Sequence, residues 1–267
     1  MSLGMSMGMS MGRNWKFGAW FFLLGHGVAL SAQANWDYLV GGAARLRPLG
    51  AAFYGQLGYG ELLWGEPKPG DFRYGYFRPL LKLQTSGVVT RSDLEFQIYP
   101  ISFFGIEMWQ SESFRLTDIS TIDCLQSSCQ GVLSRTYMRA RLFGGYGPFF
   151  LGGSTQWASL RVSSSGLSLA DESSVLVGAE GGDQLLSHEA FAGVKVTDRE
   201  SVGLYLYTDR MATTGNHADH ESLYLRVARG AWTYTAGAGL YQSSTQARGM
   251  TFYGVIVWTG RSSIELR

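Results

Sequence analysis

The chain has 267 residues and a formal net charge of +1, with 22 lysines and arginines against 21 aspartates and glutamates. This balance indicates neither a nucleic-acid partner nor binding to an anionic membrane surface. Aromatic residues make up 14% of the chain, with 36 glycines and only 6 prolines. So many rings exclude a disordered chain, and the composition favours a β-protein with close backbone approaches.

Residues 1–34 predict a secretory signal instead of a part of the mature fold. They contain a positive region, an apolar core and a small-residue cleavage site, after a low-complexity start at 1–12. The positive region contains Arg13 and Lys16, the apolar core is residues 17–30, and the cleavage site is residues 31–34. We expect cleavage after Ala34; a buried N-terminal helix or a membrane anchor is the alternative. The remaining 233 residues carry a net charge of about −1, because the two basic residues of the signal are lost.

From residue 35 onward, apolar and polar residues alternate in runs of about ten residues, with no helical periodicity. Leu94, Phe96 and Ile98, for example, alternate with acidic and amide side chains. We predict twelve strands, within a range of 10 to 14. They cover residues 36–46, 52–64, 72–84, 88–99, 103–115, 133–146, 149–162, 185–196, 201–211, 221–229, 232–242 and 250–260.

Two all-β architectures compete for twelve antiparallel strands: a soluble sandwich and a membrane barrel. A barrel in the outer membrane has short periplasmic turns and longer outer loops. The connections on one side are short by prediction, namely 65–71, 100–102, 147–148, 197–200 and 230–231. On the other side four connections are predicted to be long, namely 116–132, 163–184, 212–219 and 243–249. Two connections on that side, 47–51 and 85–87, are predicted to be short. Three further features favour the barrel. The strand lengths are close to that of a tilted membrane-spanning strand, aromatic residues lie near the strand ends, and the chain carries a predicted export signal.

In this pattern the chain resembles a bacterial outer-membrane β-barrel over residues 35–260. The last strand contains YGVIVW (253–258), which is similar to the aromatic final strands that the assembly machinery of Gram-negative bacteria reads. The chain departs from that pattern by continuing to IELR, so that residues 261–267 extend the strand or form a short periplasmic tail. The resemblance implies an antiparallel up-and-down transmembrane barrel, contacts with lipid and lipopolysaccharide, the barrel-assembly machinery as a partner, and a monomer.

The register places charged side chains of both signs on the face that a barrel turns inward. The candidate lumen-lining residues are Arg78, Lys82, Arg91, Asp93, Glu95, Glu107, Arg135, Arg139, Arg141, Tyr205 and Arg226. Clustered arginines would attract anions through a narrow pore, which is the first functional hypothesis. The same charges could neutralise one another and plug the lumen, which would leave the outer loops with an adhesive or structural role. The sequence leaves both hypotheses open.

A third hypothesis is an outer-membrane lipid hydrolase. In LLSHEAF, Ser187 and Glu189 share the inward face, whereas His188 faces lipid or its border, because neighbours in a strand point to opposite faces. Twelve-stranded outer-membrane phospholipases use a serine and a histidine two residues apart, and this sequence lacks that spacing. No catalytic residue is assigned, no cofactor is predicted, and a non-enzymatic role is preferred.

Two small clusters fall in predicted loops. Cys124 and Cys129 predict a disulfide, because an exported chain meets oxidising conditions; a thiolate metal site is the alternative. His217 and His220 in GNHADHE could hold a divalent metal. A solvated polar loop explains them as well, so no metal site is predicted.

Overall fold

The computed structural model describes residues 36–66, 72–116, 124, 127–163, 167–172 and 174–261, all within the compact unit Ala34–Arg267. The predicted signal and the segment after Arg261 lie outside the described residues. Among those residues, no helix is long and apolar enough to cross a membrane. The strands are β1 (Trp36–Arg45), β2 (Gly50–Tyr59), β3 (Glu61–Gly65), β4 (Tyr74–Thr85), β5 (Val89–Ile101), β6 (Phe104–Arg115), β7 (Ser127–Ser128), β8 (Gly131–Tyr146), β9 (Phe149–Val162), β10 (Ser168–Asp171), β11 (Leu176–Glu180), β12 (Gly182–Lys195), β13 (Glu200–Met211), β14 (His217–Arg229), β15 (Trp232–Ser243) and β16 (Gln246–Arg261).

Thirteen of these strands form one antiparallel sheet that closes on itself. The order is β2-β1-β16-β15-β14-β13-β12-β9-β8-β6-β5-β4-β3, with β2 also paired to β4. Because β2 and β3 both pair with β4 and are separated only by Gly60, they count as one barrel strand. The first and last strands pair along β1 and β16. The structure is therefore a closed, twelve-stranded up-and-down barrel, as predicted.

Side-chain alternation determines which face of each strand is covered. On β6, Glu107, Trp109 and Ser111 point inward and are buried, whereas Ile106 and Met108, which alternate with them, are exposed. The same rule separates the two faces of every barrel strand, because successive side chains of a strand point to opposite sides. Charge therefore collects inside the barrel and apolar side chains collect outside.

Rings cluster on the outer surface at the barrel end where β1 begins, here called the inner rim. Trp36 packs edge-on against Tyr59, with ring centroids 5.2 Å apart. Trp232 stacks on Tyr234 at 6.3 Å. The prediction that aromatic residues gather near strand ends is confirmed at these positions.

Two predicted loops are wrong. Residues 243–249 are not a long loop, because β15 ends at Ser243 and β16 begins at Gln246, which leaves a tight turn. The histidine-containing stretch is not a loop either, since β14 begins at His217 and pairs with both β13 and β15. Polar composition suggested loops here, but cross-strand pairing supplies backbone hydrogen-bond partners that composition cannot reveal.

The two remaining long connections, 116–130 and 163–181, contain structure that the sequence did not predict. They emerge at the barrel end opposite the inner rim, here called the outer rim. β7, β10 and β11 lie in them and form a separate three-stranded sheet, here called the inserted sheet. The predicted disulfide between Cys124 and Cys129 is present beside β7. These connections were predicted to be polar loops, yet Leu169 and Leu176 in the second are fully buried.

Candidate functional site in the barrel lumen

One half of the lumen, formed by β4, β5, β6 and β8, carries most of the predicted charges. Here it is called the charged wall. Its ion pairs join side chains on the same strand or on neighbouring strands, or reach across to β1 and β10. They are Arg78–Asp37 at 2.5 Å, Lys82–Glu95 at 2.5 Å, Arg91–Asp93 at 2.7 Å, Arg139–Glu107 and Arg141–Glu107 at 3.2 Å each, and Arg135–Asp171 at 2.8 Å. The structure thus brings nine of the eleven predicted lumen residues onto one wall.

In three of these ion pairs the two signs of charge are not equally accessible. The Lys82 side chain is 34% exposed, and its partner Glu95 is 2% exposed. Arg139 and Arg141 are 21% and 29% exposed, and their shared partner Glu107 is 1% exposed. The carboxylates lie beneath the cations, so that a solute in the lumen meets guanidinium and ammonium groups first.

Glu107 is the centre of this arrangement. The Tyr99 hydroxyl donates a hydrogen bond to Glu107 Oε1 at 2.6 Å, and Arg139 Nη1 donates to Oε2 at 3.2 Å. The Arg139 guanidinium also donates to Gln156 Oε1 and lies 4.7 Å from the centre of the Trp109 ring. Because several neighbours hold each group, Arg139 is fixed in orientation before any solute arrives.

The other two predicted residues lie elsewhere. Tyr205 is on β13, across the lumen from the charged wall, and stacks on Tyr207 at 6.4 Å. Arg226 shares its face with Ser222 and Tyr224 and is exposed near the inner-rim end of β14. Sequence reasoning missed Asp37 as a partner of Arg78, although its position on the inward face of the first predicted strand could have revealed it.

The inserted sheet crosses the lumen at the outer rim. On one side Arg135 of β8 pairs with Asp171 of β10 and also with Glu172. On the other side the Tyr241 hydroxyl of β15 donates to the Ser174 carbonyl at 3.4 Å. Since β8 and β15 are five strand positions apart in a twelve-stranded barrel, the segment between these contacts spans the opening.

Buried contacts hold the inserted sheet in place. Arg115 of β6 donates from Nη1 to the carbonyls of Ser128 and Ala170, at 2.7 and 2.9 Å. Burial alone would raise the pKa of the Asp171 carboxyl, but the guanidinium of Arg135 and hydrogen bonds from Ser174 outweigh it and lower that pKa below its usual value. The carboxylate therefore stays charged at neutral pH and keeps its ion pair.

Opposite the charged wall lies an aromatic half of the lumen. Tyr205 contacts His220 edge-on with centroids 5.8 Å apart, and His220 contacts Tyr253 in the same way at 5.7 Å. These rings border a cavity of about 950 Å³ beside the inserted sheet, and Ser174 and Val175, between β10 and β11, belong to its lining. The lining of this chamber thus combines aromatic rings with charged side chains of both signs, namely Arg45, Arg47, Arg91, Glu172, Asp209 and Asp219.

The three histidines that the structure describes do not share one site. His188 points outward, as predicted, and contacts Thr155 through Nδ1 at 3.1 Å. His217 is exposed while His220 points into the lumen, so β14 separates the two rings onto opposite faces. In the part of the chain that the structure describes, no group of three or more His, Cys, Asp or Glu side chains is placed to hold a metal ion.

No family model and no curated protein matches this chain. Among solved structures, it is similar to the KdgM porin, with 9% identity, a TM-score of 0.45, and 84% of this chain and 99% of that chain covered. For the NanC porin the identity is 8% and the TM-score 0.44, with 83% of this chain and 98% of that chain covered. For an outer membrane channel from Pseudomonas putida F1 the identity is 9% and the TM-score 0.48, with 86% of this chain and 97% of that chain covered. These similarities assign no solute and no role to this chain.

Proposed function

We propose that this chain is an outer-membrane pore for small anionic solutes. The membrane location is supported by the outward face of the barrel. Phe53, Leu151 and Leu223 there are 72%, 61% and 65% exposed, and they belong to a belt of large apolar side chains around the barrel. Soluble monomers rarely expose contiguous apolar patches larger than a few hundred Å², whereas lipid covers such a belt at no cost.

The anion preference rests on one observation: Lys82, Arg139 and Arg141 of the charged wall are partly accessible, and their carboxylate partners are buried. A solute interacts most strongly with the groups it can reach, because water and protein screen the groups behind them. Rings of accessible Arg and Lys side chains are a known means of selecting anions in pores. Lys82, Arg139 and Arg141 form such a surface in the middle of the barrel.

Planar-bilayer recordings with the purified, refolded full chain test this function. We expect discrete ohmic steps and a reversal potential, in a KCl gradient, that favours chloride. Arg139→Glu and Arg141→Glu should move that potential toward potassium, whereas Arg210→Glu, on the outward face of β13, should leave it unchanged. An electrically silent barrel, or a selectivity that ignores both lumen substitutions, would refute the proposal.

A plugged barrel with a structural or adhesive role is the second candidate. It is favoured by the inserted sheet, which crosses the lumen at the outer rim. This role predicts a silent barrel in the same recordings. It also predicts that deleting residues 164–180 abolishes surface adhesion without changing the export of the chain.

The proposal includes a cleaved signal at 1–34, a barrel domain at 35–260, insertion by the barrel-assembly machinery and a monomer in lipid and lipopolysaccharide. N-terminal sequencing of the chain from isolated outer membranes should begin after Ala34. Heat-modifiable gel mobility and extraction only by detergent are expected. A chain that stays in solution without detergent would refute the membrane location.

A further inference from the structure

The aromatic half of the lumen has a repeated construction in which a ring lies over a glycine on the neighbouring strand. Tyr224 is the cross-strand partner of Gly203, and a Cβ added to Gly203 would lie 2.7 Å from Tyr224 Cζ. Tyr253 lies in the same way over its partner Gly237. Phe191 and Gly152 repeat the arrangement on β12 and β9.

This construction determines how the rings are presented. A glycine in a strand allows a close approach that any side chain would prevent. A ring packed on that bare backbone lies flat along the barrel wall. One face of the ring is then covered by the wall, and the other face is turned to the lumen. The rings of Tyr224 and Tyr253 both border the 950 Å³ cavity.

A cation lies directly beside one of these rings. Arg45 of β1 is the cross-strand partner of Tyr253, and both side chains line the cavity. Directly opposite residues in an antiparallel pair have Cβ atoms about 4.5–5.5 Å apart. A cationic side chain and an aromatic ring are therefore neighbours on the same face of the barrel wall. Arg91 of the charged wall lines the same cavity.

Part of the wall next to Tyr253 is apolar and offers nothing to hydroxyl groups. Val255, Ala43 and Ala52 are successive cross-strand partners on β16, β1 and β2, and all three line the cavity. A sugar placed there would lose hydrogen bonds to water without replacement, which is costly. An aromatic ring has no such groups, and it gains from offset or edge-to-face contact with another ring.

We propose that this chamber binds an aromatic monocarboxylate, with its ring against Tyr253 and Tyr224 and its carboxylate toward the guanidinium groups of Arg45 and Arg91. This inference rests on the proposed anion pathway and specifies its solute class. The cavity volume lies within the range of ordinary small-molecule sites, which run from about 300 to 1,000 Å³. A monocyclic solute fits such a volume beside the inserted sheet.

Four test ligands separate the contributions that the ring, its aromaticity and the charge make to binding. They are benzoate, cyclohexanecarboxylate, glucuronate and acetate. Binding is measured by calorimetry on the refolded full chain in detergent, and block of conductance is measured in planar bilayers. We expect benzoate to bind about threefold to tenfold more tightly than cyclohexanecarboxylate, and acetate to bind most weakly. Arg45→Gln should weaken the binding of all four carboxylates.

Variants on one strand pair give the matched controls. Tyr253→Leu should remove the advantage of benzoate over cyclohexanecarboxylate, and Tyr253→Phe should retain it. Tyr234→Leu, on the outward face of β15, should change nothing. Heat-modifiable mobility confirms that each variant has folded.

The outcomes keep the two proposals apart. A conducting barrel that binds all four carboxylates equally, or a Tyr253→Leu variant that keeps its benzoate preference, would overturn the aromatic site and leave the pore intact. Tighter binding of glucuronate than of benzoate would assign the chamber to acidic sugars and overturn it too. A silent barrel would refute the pore, and calorimetry would still decide the site.

Discussion

Arg135 and Asp171 are 36 residues apart in the chain and form a buried ion pair between the barrel wall and the inserted sheet. Arg135 Nη2 lies 2.8 Å from Asp171 Oδ1, and the two side chains are 0% and 1% exposed. Arg135 also donates to Glu172 and to Ser113. This one guanidinium thus joins β6, β8 and the segment that crosses the lumen.

Breaking this ion pair should release the inserted sheet. Asp171→Asn leaves the buried Arg135 guanidinium with Glu172 as its carboxylate partner, so the loss of stability should stay below the about 3–5 kcal/mol that an uncompensated buried charge costs. We expect larger single-channel conductance and faster proteolysis in the connection 163–181, with the barrel itself intact. Arg248→Ala is the control, because its ion pair with Glu221 is more than half exposed and contributes about 1 kcal/mol or less. Equal conductance of Asp171→Asn and the parent would show that the sheet does not limit the opening.

The same carboxylate predicts a response to acid. Because the folded pKa of Asp171 lies below its ordinary value of 3.8, its contribution to stability is complete above that value and is lost as the pH falls through the lower, folded pKa. Conductance should therefore stay constant from about pH 7 to pH 5 and rise only below about pH 3.8. Asp171→Asn should abolish this rise. A transition near pH 6 in the parent would point to another group.

Removing the negative charge beneath the accessible arginines should strengthen anion preference. Glu107→Gln keeps an oxygen for the hydrogen bond from Tyr99 but no longer neutralises Arg139 and Arg141. We expect a larger reversal potential toward chloride, with a loss of stability because two guanidinium groups are then under-compensated. Glu112→Gln is the matched control, since Glu112 lies on the outward face of the same strand. A shift of equal size in both variants would mean that the charge acts from outside the lumen.

The outward face gives a test of the membrane location that does not depend on conduction. Leu223 lies in the middle of β14 and is 65% exposed. In a bilayer, Leu223→Arg should cost about 2–4 kcal/mol, because a charge on the lipid face is most unfavourable at the midplane. Ala212→Arg, in the short connection after β13, should cost almost nothing. Urea titrations in lipid vesicles compare the two variants, and similar midpoints would contradict a lipid-covered belt.

The sequence by itself determined the barrel. Alternation along twelve runs located every barrel strand, separated lipid-facing from inward side chains, and placed Arg226 on the inward face and His188 on the outward face. It could do so because the side-chain period of a strand is a local property, readable within one run of residues. Local composition was a poor guide where strand pairing decides whether a segment is a strand or a loop. A loop was predicted at His217, which begins β14, and a long loop was predicted after Ser243, where the structure has a tight turn.

Only the tertiary structure decided what the interior looks like. The pairing of Arg135 with Asp171, the position of Glu107 beneath two arginines and the rings of Tyr224 and Tyr253 over glycines all join different strands. Their register depends on how the sheet closes, and no single run of residues contains that information. The inserted sheet could not be predicted for the same reason. Its buried leucines pack against apolar side chains of the barrel strands, so their own connections were predicted to be polar loops.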